Sequence, residues 1–239
     1  MVAALLLCGT VAAADLRAVP PDGMVRLSEA ITGIEIEPRY GTSDNFTGAP
    51  LPGYGTPQLW LKEPVARALA QVHAGLADQG LGLRVYDAYR PRRASEAMVA
   101  WTHRTDQAHL LRDGYIAARS GHNHGHTVDL TLVNRATGEA VDMGGAWDTF
   151  SAVSHHTGAS GPAQEARETL RQAMVAAGFV PYDKEWWHFR FPMKDTVPLD
   201  LPYGCHEPQR FVPPAGWTAP DWIAPVAPAP SACPSPTPP

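Results

Sequence analysis

The stretch Ser120-Gly121-His122-Asn123-His124-Gly125-His126-Thr127-Val128-Asp129 decides how the middle of this chain is read. Gly125 marks the place where a loop turns into a strand, because glycine accepts the backbone angles such a turn needs. Thr127 to Val133 then reads as a strand, with Thr127, Asp129 and Thr131 on one face by two-residue alternation. Asp129 lies between Val128 and Leu130, and a carboxylate in so apolar a run is costly unless it is paired or binds a metal. A turn cap or an arginine ion pair is the plainer alternative for it.

Working outward, S-x-H-x-x-G-x-x-x-D has a partner in Glu185-Trp186-Trp187-His188, an E-x-x-H motif. His122, Asp129 and His188 together offer two imidazoles and a carboxylate to one zinc ion per chain. Three protein ligands leave a fourth position open, as hydrolytic zinc sites do, whereas structural sites are closed by four. Glu185 is then free to act as general base towards an attacking water. Glu185 and His188 are three apart, so a regular strand would turn them to opposite faces; a bend at Glu185 is expected. Trp186 and Trp187 are expected to wall the site, core packing being their plainer role. His124 and His126 are read as loop or supporting groups, with a second metal on the three histidines as the alternative. H-E-x-x-H is absent, and Pro208 prevents a helix at His206-Glu207.

A third element is Tyr86-Asp87-Ala88-Tyr89-Arg90-Pro91. An arginine at a strand end, held by the following proline, suits an oxyanion or carboxylate, because guanidinium keeps its charge and offers two forked donors. An ordinary surface arginine is the alternative.

Helices and strands do not alternate strictly. Strands are expected at Gly33–Tyr40, Leu83–Ala88, Thr127–Val133 and Trp187–Phe191. Helices are expected at Pro64–Gln79, with Val65, Leu69, Val72 and Leu76 on one face, at Ala94–His103 and at Pro162–Ala177. The fold class that follows is α+β, a small mixed or antiparallel sheet with helices packed on it.

The ends differ from the middle. Val2 to Val11 is apolar and Ala12-Ala13-Ala14 offers a cleavage site, so residues 1–14 read as a signal peptide and the protein as exported, in the periplasm. Leu7 before Cys8 argues against a lipoprotein signal. Residues 15–205 then form the catalytic domain and 206–239 a proline-rich extension, with ten prolines in the 28 residues from Val212 to Pro239. Cys205 and Cys233 are left as a pair available for a disulfide. A net charge of −5 and the lack of basic runs give no reason to expect nucleic acid. No apolar segment is long enough to span a bilayer.

The order Tyr-Arg-Pro, S-x-H-x-x-G-x-x-x-D-L-T-L, a D-x-F segment at Asp148-Thr149-Phe150 and E-W-W-H resembles the D-alanyl-D-alanine dipeptidases, the VanX type of zinc D,D-peptidase in family M15, from about Tyr40 to Phe191. The resemblance implies His122, Asp129 and His188 as zinc ligands, Glu185 as base and proton donor, and Arg90 as the group that stabilises the tetrahedral intermediate. It implies that Ser120, Tyr40 and Asp148 shape the pocket and hold the substrate's ammonium. The implied substrate is the free D-Ala-D-Ala dipeptide, and the implied fold is that of the D,D-carboxypeptidase and hedgehog-type zinc proteins. Two departures stand out. His126-Thr127 replaces small residues, which would crowd the metal's surroundings, and the segment between Arg90 and His122 is short, which would open the pocket. A D,D- or L,D-carboxypeptidase acting on stem peptides and a non-catalytic zinc module are the competing readings.

Overall fold

Two runs of apolar residues interrupted by chemistry-bearing side chains form the centre of the sheet. The computed structural model describes residues 19–204. Strand β4 (Leu81–Asp87) and strand β5 (Thr127–Asn134) pair antiparallel, and seven of the eight β5 residues are buried. Strand β7 (Glu185–Arg190) pairs antiparallel on the other side of β5, and β6 (Val180–Tyr182) closes that edge. The opposite edge is β2 (Glu35–Ile36), parallel to β4, giving the order β2-β4-β5-β7-β6. This is the expected mixed sheet. A separate two-stranded sheet pairs β1 (Met24–Arg26) with β3 (Trp60–Lys62).

Helix α2 (Glu63–Gly75) follows β3 and starts with Pro64 in its first turn, where a missing N–H costs nothing. Val65, Leu69, Val72 and Leu76 are all buried, as their spacing requires. Each contributes about 1.5–3 kcal/mol of burial. The helix stops earlier than expected, continues as a 3₁₀ turn over Ala77–Gln79, and ends at Gly80, whose φ of 70° is left-handed. Helix α3 (Arg92–Arg104) begins right after Pro91, and α4 (His109–Arg112) packs beside it. Helix α5 (Gly161–Ala176) lies against α2, β5, β6 and β7. Its buried stripe is Arg167, Leu170 and Met174, flanked by the half-buried Ala166, Ala173 and Ala177. A one-turn helix α1 (Leu27–Ala30) completes the set.

The strand expected at Gly33–Tyr40 is corrected to two residues. Pro38 has no N–H to give a ladder, and Arg39–Gly41 winds into a 3₁₀ turn. Among the described residues no helix is long and apolar enough to cross a membrane. The segments read as signal peptide and proline-rich extension, and Cys205 with Cys233, lie outside the described residues.

Candidate metal centre

Sheet register assembles the centre. Asp87 pairs with Asp129 across β4 and β5, and Asp129 pairs with His188 across β5 and β7, so three polar residues form one row. The row depends on a bulge in β4: Val85 faces Leu130 and Asp87 faces Asp129, leaving Tyr86 as the extra residue. A second irregularity lies between β6 and β7. Pro181 faces Phe189 and Tyr182 faces Glu185, so β7 carries the excess residues. This is where a bend was required, and Glu185 Oε2 comes to 3.6 Å from His188 Nδ1.

His122 arrives from a 3₁₀ turn, Gly121–His124, that precedes β5. Ser120 caps the turn by accepting the backbone N–H of His122 at 3.3 Å. Gly125 ends it at φ 68°, and a side chain there would strike Met24. The Nδ1 of His122 lies 2.7 Å from the carbonyl oxygen of Ala88, which takes its proton and leaves Nε2 as a lone pair. That Nε2 is 3.2 Å from Asp129 Oδ1 and 3.3 Å from His188 Nδ1, and the latter two are 3.0 Å apart. Four-coordinate zinc with bonds of about 2.0 Å needs ligand separations near 3.3 Å. Two imidazole lone pairs facing each other beside a buried carboxylate therefore fit a cation between them. Burial pushes the Asp129 carboxyl up, but the facing imidazoles of His122 and His188 hold it below the usual carboxylate range, in the form a metal ligand needs.

Around these three side chains lies a cavity of about 830 Å³. Tyr40, Arg90, Ser120, His122, Asp129, Asp148, Glu185 and His188, the eight residues singled out from the sequence, all line it. Glu185 is buried, and burial together with the Asp129 and Asp148 carboxylates pushes its carboxyl well up, towards a group that can hold and release a proton. Asp148 sits on the wall at φ 58°, and the Tyr40 hydroxyl donates to its Oδ2 at 2.8 Å. Burial, then the neighbouring Asp129, pushes Asp148 up as well; an arriving cation would relieve that cost. The segment bearing Asp148 is held from below by Arg167, whose guanidinium donates to the carbonyls of Met143 (2.6 Å), His155 (2.6 Å) and Val153 (2.9 Å).

One residue central to this arrangement was overlooked. Asp87 is fully buried, and its Oδ2 accepts Arg90 Nε at 2.9 Å and sits 3.3 Å from His122 Nδ1. The signal was the one that exposed Asp129: a carboxylate at the end of an apolar strand. Asn123 adds a second tie, donating to the Arg90 carbonyl (2.9 Å) and to Ser95 (3.0 Å).

Two expectations need correction. His126 and Thr127 do not line the cavity; His126 is buried beside Thr127, and Thr127 packs against Gly121, so neither crowds the metal's surroundings. Of the two tryptophans only Trp187 walls the cavity, while Trp186 stacks edge-on against it.

The D-ala-D-ala dipeptidase profile of Peptidase M15 matches residues 21–208. The chain belongs to this family and is a metallopeptidase. A D-alanyl-D-alanine dipeptidase of Streptomyces coelicolor is 38% identical over 194 residues, covering 74% of this chain and 96% of that protein. Proteins of the same name from Enterococcus faecalis and Escherichia coli are 36% and 34% identical, covering 73% and 74% of this chain and 96% and 88% of their own lengths.

Proposed function

We propose that this chain hydrolyses free D-Ala-D-Ala to two molecules of D-alanine, with one zinc ion held by His122, Asp129 and His188. The observation that carries the reading is the triangle of donor atoms, 3.0 to 3.3 Å on a side, with Glu185 beside it and a half-buried carboxylate, Asp148, on the same cavity wall. Zinc, when bound, polarises the scissile carbonyl and makes water more acidic.

The protein's own groups do the rest. Asp148, with Tyr40 on its Oδ2, holds the substrate's ammonium, and that recognises a free dipeptide because a longer peptide has an amide there. Ser120 helps shape the same pocket. Glu185 takes a proton as water adds to the carbonyl carbon. The negative charge that develops on the carbonyl oxygen faces the guanidinium of Arg90, fixed in place by Asp87 before the reaction begins. As the C–N bond breaks, Glu185 returns the proton to the leaving nitrogen, so one water is consumed and two amino acids depart. Trp187 and Ile116, both buried, supply apolar wall to the cavity.

Export directed by residues 1–14 fits peptidoglycan turnover or recovery of D-alanine. Depleting a cell-wall precursor would require the cytoplasm. The test compares D-alanine release from D-Ala-D-Ala, N-acetyl-D-Ala-D-Ala and a stem peptide ending in D-Ala-D-Ala. Cleavage of the free dipeptide well above the other two is expected; preference for the stem peptide would make the chain a carboxypeptidase.

A further inference from the structure

The cavity accounts for the dipeptide's ammonium and its scissile bond, but its carboxylate has no partner among the groups already assigned. Resting on the dipeptidase reading, the question is which cation receives it. The deep end is acidic, with Asp129, Asp148 and Glu185 all on the wall. Arg90 is committed there: its Nε and Nη2 lie 2.9 and 2.8 Å from Asp87 Oδ2, Nη2 is 3.8 Å from Asp129, and Nη1 reaches Met98. A guanidinium between two carboxylates keeps one edge for a developing oxyanion and little attraction for a third anion.

The remaining arginines on the wall are Arg112 and Arg119, at the exposed side of the cavity. Neither Arg112 nor Arg119 makes an ion pair or a hydrogen bond with any described residue. Their backbones, by contrast, are fixed. Arg119 immediately precedes Ser120, the cap of the turn that carries His122. Arg112 ends α4, and the loop after it is tied to the segment leading into Glu185: Tyr182 donates to the Gly114 carbonyl at 2.9 Å and Lys184 to that of Asp113 at 2.5 Å. Free cations on anchored backbone at the mouth of an acidic cavity make a selective end for a zwitterion.

We propose that Arg119, assisted by Arg112, binds the C-terminal carboxylate of the dipeptide and sets which way round it enters. With the carboxylate at the mouth, the ammonium points to Asp148 and the amide lies between them. The reverse orientation brings the carboxylate against Asp148, the group that receives the ammonium, and leaves the ammonium beside the arginines, so both ends meet like charge.

The test measures kcat and KM for D-Ala-D-Ala and for its C-terminal amide, in wild type, Arg119→Ala, Arg112→Ala, the double variant and Arg119→Lys, each checked for an unchanged melting temperature. Wild type is expected to favour the free acid. Arg119→Ala should lower kcat/KM for the acid about tenfold or more, chiefly through KM, and leave the amide unaffected, as loss of one charge-assisted contact implies. Arg112→Ala should do the same to a smaller extent, and Arg119→Lys should recover part of the loss. If wild type cleaves the dipeptide and the Arg119 variants keep the full preference for the acid, the carboxylate assignment is wrong and the dipeptidase reading stands. If wild type cleaves neither compound, both fall together.

Discussion

Asp87 Oδ2 lies 2.9 Å from Arg90 Nε and 2.8 Å from Arg90 Nη2, while Asp87 Oδ1 accepts the hydroxyl of Tyr54 at 2.6 Å. The carboxylate has no exposed surface, and Arg90 is only 7% exposed. Two residues separate them in sequence, just enough for the chain to leave β4, turn at Ala88-Tyr89 and bring the guanidinium back over the strand end. Asp87 Oδ2 also faces His122 Nδ1, so one buried carboxylate contacts both Arg90 and His122.

Replacing Asp87 therefore tests orientation apart from chemistry. Asp87→Asn keeps the shape and removes the charge. We expect kcat to fall about 10- to 100-fold with a small change in KM, since the Arg90 contact strengthens in the transition state. Leaving Arg90 buried without its partner should also cost about 3 kcal/mol or more of stability, read by denaturant unfolding. Unchanged kcat in Asp87→Asn would show that Arg90 needs no such support.

The Tyr40–Asp148 contact makes a different prediction. Asp148→Asn should raise KM for the free dipeptide about tenfold or more, and Tyr40→Phe somewhat less, because the ammonium loses a charged partner in one case and a positioned one in the other. Slow hydrolysis of the N-acetylated dipeptide should be the same in all three proteins. Equal losses on both substrates would place the ammonium elsewhere.

Much of this was legible in the chain. Strands β4, β5 and β7 and helices α2, α3 and α5 follow from periodicity, because each is long enough to repeat its pattern and buries one face or both. β1, β3 and β6 have three residues each, too few to show a period, and exist only because partners hold them. Asp129 and His188 stand out as polar side chains set into apolar runs, and His122 by its spacing from Asp129 in S-x-H-x-x-G-x-x-x-D. Asp87 satisfies the same criterion, as a carboxylate at the end of the apolar run of β4. What no local pattern could convey was the bulge at Tyr86, which turns Asp87 into register with Asp129 and His188.

Buried histidines away from the ligands set a pH dependence of stability. Burial, then the neighbouring His124, pushes His126 down to about 4, and burial, then Arg135, lowers His73, whose Nδ1 accepts the N–H of Leu83 at 3.2 Å. Unfolded histidine titrates near 6.5. Below that pH the unfolded chain takes up protons that the folded chain refuses, so stability is complete above about pH 6.5 and declines as pH falls towards 4. Urea midpoints at pH 7.5 and 5 should show this decline in wild type and a shallower one in His126→Gln and His73→Gln. A decline as steep in both variants would assign it to other groups.

Metal binding and proton transfer are separable in one pair of variants, and that separation is the most direct test of the site as a whole. Zinc content and D-alanine release from D-Ala-D-Ala should be measured on the same preparations of wild type, Glu185→Gln and His122→Ala. One zinc per chain is expected in wild type and Glu185→Gln, with turnover in Glu185→Gln lower by a factor of about 10² to 10⁴, while His122→Ala loses both metal and turnover. Full activity in Glu185→Gln, or a full complement of zinc in His122→Ala, would contradict the account.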